Sequence, residues 1–262
     1  MQCTAFRAVA AATLGLALTA SAGAQVVMQD HPGQYSPADV EAGARVYNAR
    51  CAQCHGINGD MVSGVDLRRG QFRRATSDED LMQVVTTGVS GAGMPPFALQ
   101  PQELTGVIAF IRAGFDRAGA AVRVGNPARG RAIFEGKGAC TSCHRVSGRG
   151  PRLAPDLSDV GIARTPAAIQ RTLLDPSSAM LPINRPVRIV TKDGRTVTGR
   201  RLNEDTYSVQ LIDSDERLRS IAKRDIRSLE AATVSPMPSY AKTLTTDELS
   251  DLIAHLLTLR EQ

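Results

Sequence analysis

The chain predicts a mainly α fold: two small helical domains, each closed around a ligand, with a small antiparallel β-meander or barrel inserted in the second. Three observations carry this expectation. A pentapeptide occurs twice, as Cys51-Ala52-Gln53-Cys54-His55 and as Cys140-Thr141-Ser142-Cys143-His144. A glycine, aliphatic and aromatic signature precedes each copy, and an amphipathic helical stretch follows each at a distance. Between the second pentapeptide and the last helix, one segment switches to β-branched residues and turn signals. The length of 262 residues accommodates two domains of about 100 residues each.

Taken in chain order, residues 1–24 read as a secretory signal peptide. Arg7 supplies the basic start, Ala8 to Ala20 is an apolar run, and Ala22-Gly23-Ala24 fits small-residue cleavage before Gln25. The run is too short and too Ala-rich for a membrane span, although a short anchor is the alternative reading. Cys3 precedes the run, so a lipoprotein cleavage box is not expected. No later stretch is long enough to span a bilayer. The first domain is placed at residues 36–116. Ser36-Pro37 starts a helix that runs through Gly43-Ala44-Arg45-Val46-Tyr47 to the first pentapeptide. Asp80 to Thr87 is amphipathic. A helix from about Pro101 to Gly114 puts Leu104, Val107, Ile108 and Ile111 on one face.

Residues 117–125, rich in Ala and Gly, form the expected linker. The second domain, 126–262, opens with Asn126-Pro127 and Gly130-Arg131-Ala132-Ile133-Phe134 before the second pentapeptide. Its last helix, about Thr246 to Arg260, aligns Leu249, Leu252, Ile253, Leu256 and Leu257. Gly43 and Gly130 offer surfaces where a partner helix can approach closely. The insertion runs from about Arg185 to Glu230. Val187, Ile189 and Val190 lead into the turn Lys192-Asp193-Gly194-Arg195, and strands are expected at Thr196–Thr198, Thr206–Ile212, Arg217–Ile221 and Ile226–Leu229.

The pentapeptide carries the chemistry. Two thiols at this spacing can form thioether bonds to the two vinyl groups of a haem, and the adjacent His can supply an axial nitrogen to the iron. Cys51, Cys54 and His55, then Cys140, Cys143 and His144, are therefore the expected residues for two covalently bound haem c groups. Aromatic residues are only 4 % and Trp is absent, which suits domains whose core is partly porphyrin. The fifth cysteine, Cys3, falls in the expected signal, so no pair remains for a structural disulfide. C-x-x-C alone also fits a redox dithiol or half a zinc site; repetition, the trailing His and the exported start point to haem.

A sixth iron ligand is sought among His31, His255 and the methionines. A soft thioether opposite His raises the reduction potential. Met94 lies 39 residues after His55, between Gly93 and Pro95-Pro96, in an irregular loop able to turn its sulfur inward. Met61 follows His55 too closely, and Met82 reads as core. In the second domain Met180, 36 residues after His144, matches the spacing. Met237 instead matches the context: Met-Pro, an aromatic three residues on, then the final helix. Met237 is preferred and Met180 is its rival. The Pro155 carbonyl, in Leu153-Ala154-Pro155-Asp156-Leu157, is the expected acceptor for the other ring nitrogen of His144, chosen over Pro151. No matching proline orients His55.

These residues resemble class I c-type cytochromes with His/Met ligation, in which the pentapeptide ends an N-terminal helix, a C-terminal helix crosses it, and a Met loop closes the haem. The first domain resembles the short bacterial version through Cys51 to His55, Gly91–Pro96 and Ile108-Ala109-Phe110-Ile111. The second is similar to the bacterial haem-binding domain of planctomycete-type multidomain proteins, through Cys140 to His144, Pro155-Asp156-Leu157, Val160-Gly161, Asp175-Pro176-Ser177, Lys192-Asp193-Gly194 and Met237-Pro238. Ala154 and Val65 depart from the usual Gly and Pro.

The repeated pentapeptide and the secretory start together point to a dihaem protein that is soluble, exported and periplasmic. It would pass single electrons between redox protein partners, from an exported dehydrogenase or other donor to a cytochrome or oxidase acceptor, and it would be a carrier more than an enzyme. The alternative is a haem enzyme with one open or displaceable site, acting on peroxide or a small sulfur compound; a sensor would need an output domain. Charge is uneven. From Ser36 to Ile111 six Arg face eight acids, a net of −2, whereas Arg112 to Arg152 has a net of +7. This basic collar would steer an acidic partner or be balanced by haem propionates. Nucleic acid is not an expected partner.

Overall fold

Ser36 opens the first helix of the computed structural model, which describes residues 33–260. Its hydroxyl accepts from the Asp39 N–H at 3.1 Å, and the Asp39 carboxylate accepts from the Ser36 N–H at 3.2 Å. This reciprocal cap, with Pro37 in the first turn, starts α1 (Pro37–Arg50). A single turn, α2 (Ala52–His55), carries most of the first pentapeptide. Ser77 caps α3 (Asp78–Thr87) in the same reciprocal way, and α4 (Pro101–Arg112) follows. The second half repeats the plan. Asn126 caps α5 (Pro127–Glu135), and Cys140–Ser142 is a 3-10 turn. After α6 (Val160–Ala163) and α7 (Pro166–Leu174), Thr245 caps α8 (Thr246–Thr258). The expected signal segment, Cys3 and His31 lie outside the described residues.

Both halves are held by one kind of helix crossing. An added Cβ on Gly43 of α1 would sit 1.8 Å from the Gly106 carbonyl oxygen of α4. One on Gly130 of α5 would sit 1.9 Å from the Asp251 carbonyl oxygen of α8. Only a residue without a side chain lets the backbones come so near. The close crossing buries more of each partner helix than a single stripe: Gly106 through Ile111 in α4 and Leu249 through Ala254 in α8 are all buried. In the first core Tyr47 meets Phe115 edge-on at 4.7 Å and Phe110 at 5.7 Å between ring centres.

The Ala/Gly-rich segment before Asn126 is packed. Ala121, Val122 and Val124 are buried, and Gln34 bridges Val122 in antiparallel fashion. Asp78 collects this region. Its carboxylate accepts from the Tyr35 hydroxyl at 2.7 Å, from Arg112 Nε at 2.6 Å and from the Val124 N–H at 3.1 Å. Asp251 plays a matching part in the second half, accepting from the Asn126 N–H at 2.6 Å and from both Arg129 Nε and Nη2 at 2.6 and 2.9 Å. Residues 33–36 and 121–126 thus tie α3 to α8 through backbone and carboxylate hydrogen bonds.

The insertion is a five-stranded antiparallel sheet: β1 (Pro186–Thr191), β2 (Thr196–Glu204), β3 (Ser208–Asp213), β4 (Leu218–Ala222) and β5 (Ile226–Ala231), in the order β4-β3-β2-β1-β5. Val187, Ile189, Val209 and Leu211 form its own core with Ile221 and Leu229 packed on it. The register on β1 pairs Ile189 with Val197 and with Leu229, keeping the apolar residues on one face.

The fold class expected from sequence needs correction: the chain is not mainly α. Helix accounts for 37 % and strand for 18 %. The excess weight given to helix has a physical origin. Apolar residues at helical spacing flag α1, α4, α5 and α8 strongly, but the turns that follow each pentapeptide are irregular and form no helix. The sheet is a full layer with its own core, and its pairing leaves β4 and β5 as edges.

Gly43→Ala should force α1 and α4 apart or expel the methyl into backbone, at a cost of about 3 kcal/mol. Thermal unfolding of the haem-loaded protein should show the loss, and a wild-type melting temperature would contradict the crossing described.

Candidate functional site

In the first half, Cys51 ends α1 and the chain turns at once into α2, so that Cys51, Cys54 and His55 face one region. The Tyr47 hydroxyl, fully buried, donates to the Gly56 carbonyl at 2.7 Å and fixes the exit of this turn. A cavity of ≈ 260 Å³ opens there, lined by Cys51, Cys54, His55, Leu81, Val85 and Met94 among others. Met94 reaches it on a loop pinned by the Val89 N–H, which donates to the Met94 carbonyl at 2.9 Å. Gly88 makes that loop possible: it has φ +71°, and a Cβ there would meet the Met94 carbonyl at 2.6 Å.

Burial sets the electrostatics. It lowers the pKa of His55, favouring neutral imidazole. It pushes the Cys51 thiol up to about 11, with Cys54 adding to the effect. His55 Nδ1 is buried and finds no partner among the described residues. Val65, where a proline carbonyl was not available, lines the cavity instead.

In the second half, the 3-10 turn at Cys140 is entered through Ala139 at φ +48°. His144 Nδ1 lies 2.7 Å from the Pro155 carbonyl. The loop around it is fixed by the Ala154 N–H donating to the Cys143 carbonyl at 3.0 Å and the Leu157 N–H donating to the Arg145 carbonyl at 2.9 Å. Burial lowers the His144 pKa; the Pro155 bond opposes this and Arg200 adds to it. Cys140 and Met237 both pack on the same core as Phe134, Tyr240 and Leu252. Cys143 is exposed. Met180 is half-buried and is not among the residues packed on that core. His255, half-buried in α8, stacks edge-on with Phe134 at 5.2 Å, a packing role. A wider opening of ≈ 910 Å³ lies beside His144 between α5 and α8, lined by Thr141, Phe134 and His255; Cys140, Cys143 and Met237 are not part of its wall.

The side chains of both sites suit a covalently bound haem, and in the first they also line one cavity. The first offers an apolar cavity, a neutral imidazole with an orphaned nitrogen, two thiols and a thioether. The second offers an imidazole already oriented by a carbonyl, with a thiol and a thioether on one core. Among the described residues no group of three His, Cys, Asp or Glu is placed to hold a bare metal ion.

Residues 38–111 match the family described as cytochrome c oxidase, cbb3-type, subunit III, and residues 127–206 match the family described as cytochrome c. Cytochrome c6 of Leptolyngbya boryana is 33 % identical over 61 residues, covering 72 % of that protein and 23 % of this chain. The chain belongs to the cytochrome c family. Each of the cytochrome's two domains carries one haem c. The cytochrome is also 28 % identical, over 134 residues, to the cbb3-type cytochrome c oxidase subunit CcoP of Helicobacter pylori. The match takes in 47 % of this chain and 44 % of that relative, so the chain spans less than half of its length. A chain of the Kuenenia stuttgartiensis reducing HAO-like protein complex Kustc0457/Kustc0458 aligns over 88 % of this chain and 100 % of its own at 18 % identity; at a TM-score of 0.26 it carries no argument.

Three groups beside the sites were missed in the sequence: Tyr47, Tyr240 and Arg200. The two tyrosines occupy the aromatic positions of the helix signature and of the Met loop, so a phenolic hydroxyl in place of Phe was the available signal. Arg200 had none, because only the docking of the sheet brings it near His144.

Tyr240 is buried, and its hydroxyl donates to the Gly138 carbonyl at 2.5 Å. Burial, with Cys140 adding to it, pushes its pKa from 10.0 up to about 12. A raised folded pKa means that the fold favours the neutral phenol. Its contribution is therefore whole below pH 10 and is lost as pH climbs toward 12. Tyr240→Phe should cost about 1 kcal/mol at neutral pH and should flatten part of the alkaline fall in stability, read by unfolding at pH 8 to 12. An unchanged alkaline slope would contradict this.

Proposed function

We propose that the cytochrome is an exported, periplasmic dihaem protein that carries single electrons from an exported dehydrogenase or another donor to a downstream acceptor. One observation carries the reading furthest: His55 and Met94 line the same apolar cavity as the two thiols. The Met94 thioether would, with a haem bound there, occupy the side facing His55 and keep substrates away, as a carrier requires. When bound, each haem supplies a one-electron couple between ferric and ferrous iron.

The chain's own residues do the rest. Cys51 and Cys54, and Cys140 and Cys143, anchor the groups. His55 and His144, kept neutral by burial, present a ring nitrogen. Met94 and Met237 supply sulfur, with Met237 favoured over Met180 because it packs with Cys140 on one core. Pro155 holds His144 in one ring orientation, and the apolar walls exclude water.

The domains of this reading are 36–116 and 126–262, joined by 117–125, with His/Met class I kinship throughout and planctomycete-type kinship in the second. The likeness of residues 38–111 to an oxidase subunit supports an oxidase as acceptor. The basic segment from Arg112 to Arg152 supports an acidic docking partner. Among the described residues no helix is long and apolar enough to cross a membrane.

Near-infrared magnetic circular dichroism of the oxidised protein should show two His/Met haems. Met94→Ala and Met237→Ala should each abolish one, while Met180→Ala should leave both; loss of the second signal in Met180→Ala alone would transfer the role to Met180. The carrier role is tested by kinetics. Single-electron transfer to an acidic redox protein should slow steeply with salt, with no peroxide turnover. A high-spin resting haem with peroxide turnover would reverse the reading to an enzyme.

A further inference from the structure

Hydrogen bonds from two elements of the inserted sheet meet the loop beside the second haem site at Arg152. On β2, Arg200 Nε donates to the Arg152 carbonyl at 3.1 Å. From the turn between β3 and β4, the Glu216 carboxylate accepts from the Arg152 N–H at 3.2 Å, and the Glu216 carbonyl accepts from Arg152 Nη2 at 3.3 Å. Arg152 is thus gripped on its carbonyl, amide and side chain by two elements of the sheet. Three residues further on is Pro155, whose carbonyl faces His144 Nδ1. Glu216 holds this grip from a left-handed backbone at φ +59°, a conformation that a non-glycine residue keeps only where its surroundings hold it.

The grip parks a cation. Arg200 is half-buried against the loop, with no carboxylate among the described residues within ion-pair distance of it, and its field bears on both His144 and Asp156. Reduction removes one positive charge from an iron centre, so a nearby fixed cation favours the ferrous state. We propose that Arg200 sets the reduction potential of the second haem from the sheet, holding it above the value that the ligands alone would give. The sheet then couples to the site electrostatically, and a partner that binds the sheet and displaces Arg200 would lower the potential of that haem. The inference rests on His144 as the second proximal ligand.

The test measures both midpoint potentials in the haem-loaded protein, the second haem being the one whose potential Met237→Ala moves. Arg200→Gln should lower the second potential by a shift on the order of tenfold in the ferric/ferrous ratio at fixed poise, about 59 mV for one electron, and should leave the first in place. Arg200→Lys should restore it. An unchanged or raised second potential in Arg200→Gln, or an equal shift of both haems, overturns the proposal. Arg200 also braces the loop, so Asp156→Asn is measured as well. It removes a nearby negative charge without touching the grip and should raise the second potential; absence of a rise overturns the proposal whether or not Arg200→Gln loads haem. A wild-type second haem lacking a histidine nitrogen in its electron paramagnetic resonance spectrum would overturn the inference together with the ligand assignment beneath it.

Discussion

The closeness of two backbones at Gly43–Gly106 and at Gly130–Asp251 governs the rest of the molecule. Helices ordinarily pack with side chains between their axes. Here the missing Cβ lets α1 lie directly on the α4 backbone, and α5 on α8. The helix that delivers each pentapeptide is thereby locked to the helix that follows each Met loop. Geometry at the thiols, the imidazole and the thioether follows from a contact in which no functional residue takes part. The apolar residues around each crossing then have only one way to pack, and each cavity or core forms where they leave off.

The two sites share this frame but solve the orientation of their histidines differently. His144 has a carbonyl partner at Pro155; His55 Nδ1 is buried without one among the described residues. A partnered imidazole is fixed in one tautomer and made a better donor to metal, so the two histidines would present unequal nitrogens to their haems. The loop carrying Pro155 is in turn held by the sheet through Arg152, Arg200 and Glu216. The insertion therefore braces the loop of the second site as well as forming a layer of its own.

The segment between the halves is buried and hydrogen-bonded. Asp78 and Asp251, one in each half, take the donors of residues 33–36 and 121–129. A buried carboxylate without such donors would be strongly unfavourable, so each half is completed by chain from the junction. This favours a fixed spacing between the two redox centres, which suits transfer of electrons within one molecule.

Much was legible in the linear chain because it depended on local chemistry. The thiol and imidazole spacing of Cys51 to His55 and Cys140 to His144, the caps at Ser36 and Asn126, the turn at Lys192–Arg195 and the Met-Pro loops each reside in a few consecutive residues. The helical weighting of the fold class failed because periodicity registers helices more clearly than the irregular turns around a prosthetic group. What only the tertiary structure decided are the long-range meetings: Asp78 with Tyr35 and Arg112, Tyr240 with Gly138, and Arg200 with Arg152. Each joins residues far apart in sequence, and a charge or hydroxyl shows no sign of its partner until packing has removed it from water and left it one place to turn.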